Sequence, residues 1–310
     1  MKRTIELMEK HGIPGRDLGD VPSSSLTFPD GAHYRIEIAG VERPSTFEAM
    51  LKAMEEFETP VHRVICAVGG ATCLTFSEIK RFAKLSAENK IEVIMTPAPT
   101  RSWDTGRQLA TPEGYVSGLR VRGSDNLRYV LNDIFRCIEA GIRGFLVVDE
   151  GLLNLLCRMR EAGDLPKEVV FKVSVFAGHG SPAGAMLLEE IGANTFNPLA
   201  DLTLPMIASI RKSAKIPMDL YVSLVDQMGG YNRSWETAEM ARVGSPCYFK
   251  IEPGASEGSI YKPYVTEEFH QFLVRQKVKM ARIITELIPM VNKDLKCSQM
   301  GPKDLTLCMP

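Results

Sequence analysis

The chain has 310 residues, 45% of them apolar, and a formal net charge of −1. That balance gives a globular protein with a large core, and it excludes a strongly basic nucleic-acid surface or a polybasic membrane anchor. No run of about 18 apolar residues occurs, so no transmembrane helix is expected.

The first residues, MKRTIELMEKHG, are basic but lack an apolar segment, so they do not read as a signal peptide. Seven cysteines is an odd count, and Cys66, Cys137, Cys157 and Cys247 lie in apolar segments. They read as buried free thiols, which points to a reducing, cytoplasmic compartment. Residues 1–31 form an N-terminal lead-in: a short polar helix, then a loop ending in the turn sequence TFPDG.

From residue 32 a unit of strand, turn and amphipathic helix repeats. The predicted strands are HYRIEIAGV (33–41), HRVICAV (62–68), IEVIMTP (91–97), GFLVVDE (144–150), VVFKVSVF (169–176), ANTFNPL (193–199), PMDLYVSL (217–224) and PCYFKIE (246–252). Helices are expected over 45–58, 75–90, 124–140, 152–162, 182–191, 204–214, 235–243 and 267–290. Eight such units in one continuous block, 32–290, predict a single-domain α/β fold, a closed (β/α)8 barrel of the TIM type. An open doubly wound sheet is the runner-up, but it calls for a G-x-G-x-x-G turn after the first strand, and none is there. Residues 291–310 form a C-terminal tail with Cys297 and Cys308, which either folds back over the barrel or reaches a neighbouring subunit. Barrels of this size often pair, so a homodimer is an open possibility.

Side chains alternate along a strand, so the parity that is apolar should face the helices and the other parity the barrel axis. This places Arg35 and Glu37, Lys172 and Ser174, Asp219, Tyr221 and Ser223, and Tyr248, Lys250 and Glu252 inside, with Glu92 early in its strand at the non-catalytic end. A barrel filled only for stability holds Val, Ile and Leu. Buried charges are costly without a task or a partner, so this set reads as an active site at the C-terminal strand ends. His179 leaves the fifth strand and reads as a proton shuttle or general acid/base; His11, His62 and His270 carry no signal. Asn197 points at the same mouth. The glycine-rich loops 226–233 (DQMGGYNR) and 253–258 (PGASEG) are candidates for anion binding through backbone N–H groups, with Arg233 as a clamp. The loop 98–123, with Arg101, Trp103, Asp104 and Arg107, is long enough for a lid or specificity loop.

Residues 169–223 carry a further signal. They read as a polar-ended strand, a helix ending at EIGA, a strand, an ADLTL helix start and a strand opening IPMDLYV. This order resembles the central part of the U32 (collagenase-like) peptidase family. The family's cysteine signature, C-x4-G-x-C, has no counterpart here, since the matching loop is SLVDQMGGYNRS. The resemblance implies a peptidase-like barrel, without an iron–sulfur cluster of that kind. No Ser–His–Asp order and no H-E-x-x-H helix accompanies it.

The expected function is a hydrolase or lyase acting on a small carboxylate-bearing substrate. Lys172 and Lys250 are the candidates for a Schiff base or an electrostatic role, Glu37 and Asp219 for acid/base or metal duty, and His179 for proton transfer. Arg35, Ser174, Asn197, Tyr221, Arg233 and Glu252 are the expected substrate-binding residues. Two alternatives stay open: a divalent-metal aldolase or lyase using Glu37, Asp149, Glu150, Asp219 or Glu252, and a non-catalytic binding barrel in a larger complex.

Overall fold

The computed structural model describes residues 2–97, 120–262 and 264–310. The expected lid, 98–123, therefore lies almost wholly outside the described residues.

The strands are β1 (Tyr34–Val41), β2 (Arg63–Cys66), β3 (Glu92–Met95), β4 (Gly144–Val147), β5 (Val170–Val173), β6 (Thr195–Phe196), β7 (Met218–Ser223) and β8 (Cys247–Ile251). All pair in parallel and in chain order, and β8 returns to β1, so among the described residues eight strands close a barrel. An open sheet is excluded by that closure. The helices are α1 (Lys2–Lys10), α2 (Pro44–Glu56), α3 (Phe76–Asn89), α4 (Gly123–Glu139), α5 (Glu150–Ala162), α6 (Pro182–Glu190), α7 (Leu204–Ser213), α8 (Thr237–Gly244), α9 (Glu257–Tyr261) and α10 (Glu267–Val291).

Local chemistry sets several boundaries. Thr75 and Glu78 form a reciprocal capping box on α3. Asp149 accepts from Leu152 N–H at the start of α5, and Ser181 from Gly184 N–H ahead of Pro182 in α6. The outward strand residues Ile36, Ile38, Val64, Val93, Phe145, Phe171, Phe196 and Phe249 are 0% exposed and merge with the helices into the main core. Removing that apolar area from water is the chief driving force for the fold.

The inner face is divided. Ala39, Ile65, Ile94 and Leu146, from β1 to β4, form a small apolar cluster. Much of the remaining interior is charged. The C-terminal tail folds back on its own barrel, across the ends where the strands begin. Ser298 N–H donates to Tyr34 carbonyl, Thr306 N–H to Glu92 Oε1, Cys308 N–H to Ser86 Oγ and Met309 N–H to Gly141 carbonyl.

Candidate active site

The strand register brings the inward residues level with one another. Glu37 lies beside Arg63 on one side and Lys250 on the other, Lys172 beside Thr195, and Asp219 beside Tyr248. The deepest group is an ion network. Arg63 donates to Glu37 and Asp219, and its Nη1 donates to Thr195 Oγ1 at 3.1 Å. Lys172 donates to Asp219 and lies 3.2 Å from Glu37 Oε1. The Arg63 guanidinium also stacks on Tyr248, 3.5 Å from the ring centroid. Burial works against ionisation of Glu37, but Arg63 and then Lys172 outweigh it and hold its carboxyl at about 2. Burial pulls the Lys172 ammonium down to about 8, against the opposing pull of Asp219 and Glu37.

Nearer the C-terminal mouth sits a second group. Lys250 Nζ is 3.4 Å from Asn197 Oδ1, 3.4 Å from Glu252 Oε2 and 4.6 Å from the Tyr221 ring centroid. Asn197 Nδ2 is anchored on the carbonyl of Asp219. Burial, and then Glu252, pushes the Tyr221 phenol well up, so it keeps its proton. Here Lys250 is held by few and long contacts, whereas Lys172 is clamped by two carboxylates.

The remaining expected residues fall elsewhere. Ser174 accepts from Phe176 N–H and caps the turn after β5. Arg233 donates to the carbonyls of Ala200 and Leu202 and pairs with Glu236 at 2.7 Å, so its fork pins the loop after β6. Arg35 lies at the opposite end of the barrel. It makes a two-pronged pair with Asp304 of the tail, donates to Ser298 and covers the Phe28 ring. The tail was expected either to fold back or to reach out, and a residue at the start of β1 is where a folded-back tail arrives. His179 sits at the rim, its Nε2 2.6 Å from Glu150 Oε1, and Glu150 is also held by Arg120. Asp149 is spent on the α5 cap. Among the described residues no group of three or more His, Cys, Asp or Glu is placed to hold a metal ion.

Three participants escaped the sequence reading. Arg63 has the parity opposite to Val64 and Cys66, a signal that was present but weakened by its place at the start of the strand. Lys277 on α10 shares the apolar stripe of Val274, Val278 and Ala281, and its Nζ passes into the barrel wall to donate to Ala39 carbonyl at 2.6 Å. Glu42, just after β1, accepts from Val68 N–H at 3.1 Å. Burial raises the Glu42 carboxyl to about 8 and lowers the Lys277 ammonium to about 8.

No protein-family model matches the chain, and no curated protein does. Among solved structures it is similar to the YdjI aldolase from Escherichia coli K12, at 13% identity and TM-score 0.46, covering 85% of this chain and 91% of that one. It is also similar to a putative fructose-1,6-bisphosphate aldolase from Coccidioides immitis, at 11% identity and TM-score 0.49, covering 94% and 96%. A U32 peptidase matches at 14% identity and TM-score 0.42, covering 73% of this chain and 95% of that one. Likeness of this degree carries no argument about the reaction. The (β/α)8 class rests on the closed strand order itself.

Proposed function

We propose that this barrel is an enzyme of the lyase class that works at the C-terminal ends of its strands on a small carbonyl compound bearing a carboxylate. Lys250 is the reacting amine. The observation that supports this reading is the contrast between the two lysines. Lys172 is locked in the network with Glu37 and Asp219, while Lys250 faces the mouth among Asn197, Tyr221 and Glu252 with no hydrogen bond or ion pair shorter than 3.4 Å among the described residues.

The Lys250 amine adds to the substrate carbonyl, and loss of water leaves an imine. Tyr221, which keeps its proton, can donate to the oxygen that departs as water, and Glu252 can accept the proton released by nitrogen. The network of Arg63, Glu37, Asp219 and Lys172 underneath holds these walls in register and supplies a fixed electrostatic floor. The carboxylates that a divalent-metal mechanism would use are already paired: Glu37 and Asp219 to Arg63 and Lys172, and Glu252 to Lys250.

The test is borohydride trapping with a panel of small keto acids and aldehydes, followed by peptide mapping by mass spectrometry. An adduct on Lys250, absent from Lys250→Met, is the expected result. No adduct with any member of the panel, or an adduct elsewhere, overturns the imine reading. A second reading, hydrolysis, is favoured by the short His179–Glu150 contact at the rim, a pair suited to activating water. It predicts loss of activity in His179→Gln without any trapped adduct.

A further inference from the structure

The described residues enclose a cavity of about 330 Å³ at the end of the barrel opposite to the proposed active site. Its walls are the beginnings of the strands, and its cover is built by the two ends of the chain: Thr27, Phe28 and Pro29 from the lead-in, and Asp304 and Thr306 from the tail. Thr27, Pro29, Asn194 and Lys215 on its rim are exposed, so it communicates with solvent. Its size lies at the lower end of the range for small-molecule sites.

The charges of this lining are balanced. Arg35, Arg63, Lys172 and Lys215 face Glu92 and Asp304, and Glu37 and Asp219 stand behind Arg63 and Lys172. No net positive charge is left to attract a simple anion. Two groups of opposite sign keep capacity to spare among the described residues. Glu92 spends Oε1 on Thr306 N–H, while Oε2 accepts no hydrogen bond and lies 3.6 Å from Arg63 Nη1. The Lys215 ammonium, at the rim, has no partner there. Beside Glu92, the Tyr248 hydroxyl accepts from Arg35 at 3.3 Å and has its own hydrogen to offer. A cavity with an open acceptor in its wall, an open cation at its rim and no net charge suits a ligand that carries both signs.

We propose that this cavity is a second binding site, for a small zwitterion of the amino-carboxylate class, with the ammonium on Glu92 and the carboxylate toward Lys215 and Tyr248. The site stands apart from the Lys250 group, but Arg63 belongs to both its wall and the central ion network, so occupation would be felt along the barrel axis.

Isothermal titration calorimetry of the full chain with the free L-amino acids, each beside its decarboxylated amine and its deaminated acid, tests this. At least one amino acid should bind, and loss of either charged group should weaken binding by about tenfold or more. Binding should survive in Lys250→Met. It should be lost in Glu92→Gln, and in Val170→Phe, where the new ring fills the cavity; circular dichroism confirms that each variant is folded. If no amino acid binds the wild-type chain, or the acids and amines bind as well as the zwitterions, the proposal fails. It also fails if binding is lost in Lys250→Met and kept in both cavity variants.

Discussion

At the scale of the residue, the barrel interior poses a problem of charge rather than of volume. Arg63, Glu37, Asp219 and Lys172 are each at most 1% exposed. Each ion repays its desolvation only while its partners are in place. Lys172→Met should therefore cost about 3–5 kcal/mol, because it leaves the two buried carboxylates of Asp219 and Glu37 with the single charge of Arg63 between them. Pairing it with Asp219→Asn should recover part of that loss, and urea unfolding of the two variants measures the difference.

His62 makes a second residue-scale case. Its Nδ1 accepts from Ile36 N–H at 3.0 Å and its Nε2 donates to Ser298 carbonyl at 3.0 Å, an arrangement open only to the neutral ring. Burial accordingly pushes its imidazole down to about 4. An unfolded histidine titrates near 6.5, so the unfolded chain binds the extra proton first as pH falls. The stability tied to neutral His62 is complete above pH 6.5 and is lost as pH falls toward 4, by about 3 kcal/mol in all. His62→Gln should flatten that limb of the stability–pH curve, read as the difference in urea midpoint from wild type.

At the scale of the element, β1 departs from regularity to admit a side chain from outside the sheet. Its register against β2 shifts between Ala39 and Val41, and Gly40 between them has φ +76°. The bulge frees Ala39 carbonyl for Lys277 of α10. A Cβ at Gly40 would lie 2.7 Å from Lys277 Nζ, and a non-glycine residue at that φ is strained. Gly40→Ala should cost about 1–3 kcal/mol and push Lys277 away from the Ala39 carbonyl, which thermal melts can register beside a control substitution on the exposed face of α10.

At the scale of the whole molecule, the barrel is finished by its chain ends. The tail ties β1, α3 and the α4–β4 turn together through Tyr34, Ser86 and Gly141, and it carries Asp304 to Arg35. Deleting residues 304–310 should take the two-pronged partner Asp304 from Arg35, leaving it the longer 3.8 Å pair with Asp30, and uncover Glu92, lowering stability by several kcal/mol. Arg35→Met in the truncated chain should restore part of it, since the weakly paired charge is then gone. Urea unfolding of the full-length, truncated and doubly changed chains compares the three.

The order of strands and helices was legible from periodicity, because a β/α repeat leaves its apolar spacing on nearly every segment. Strand parity likewise placed Glu37, Lys172, Asp219 and Lys250 on the inner face, since alternation is a local property of the strand. What those residues meet there was not legible. Partner choice depends on the register around a closed ring, which sets Arg63 against Glu37 and Asp219, and on a helix distant in sequence, which delivers Lys277. Arg35 shows the same limit: parity correctly turned it inward, but only the folded-back tail decides that its charge is spent on Asp304 at the end of the barrel away from the Lys250 group.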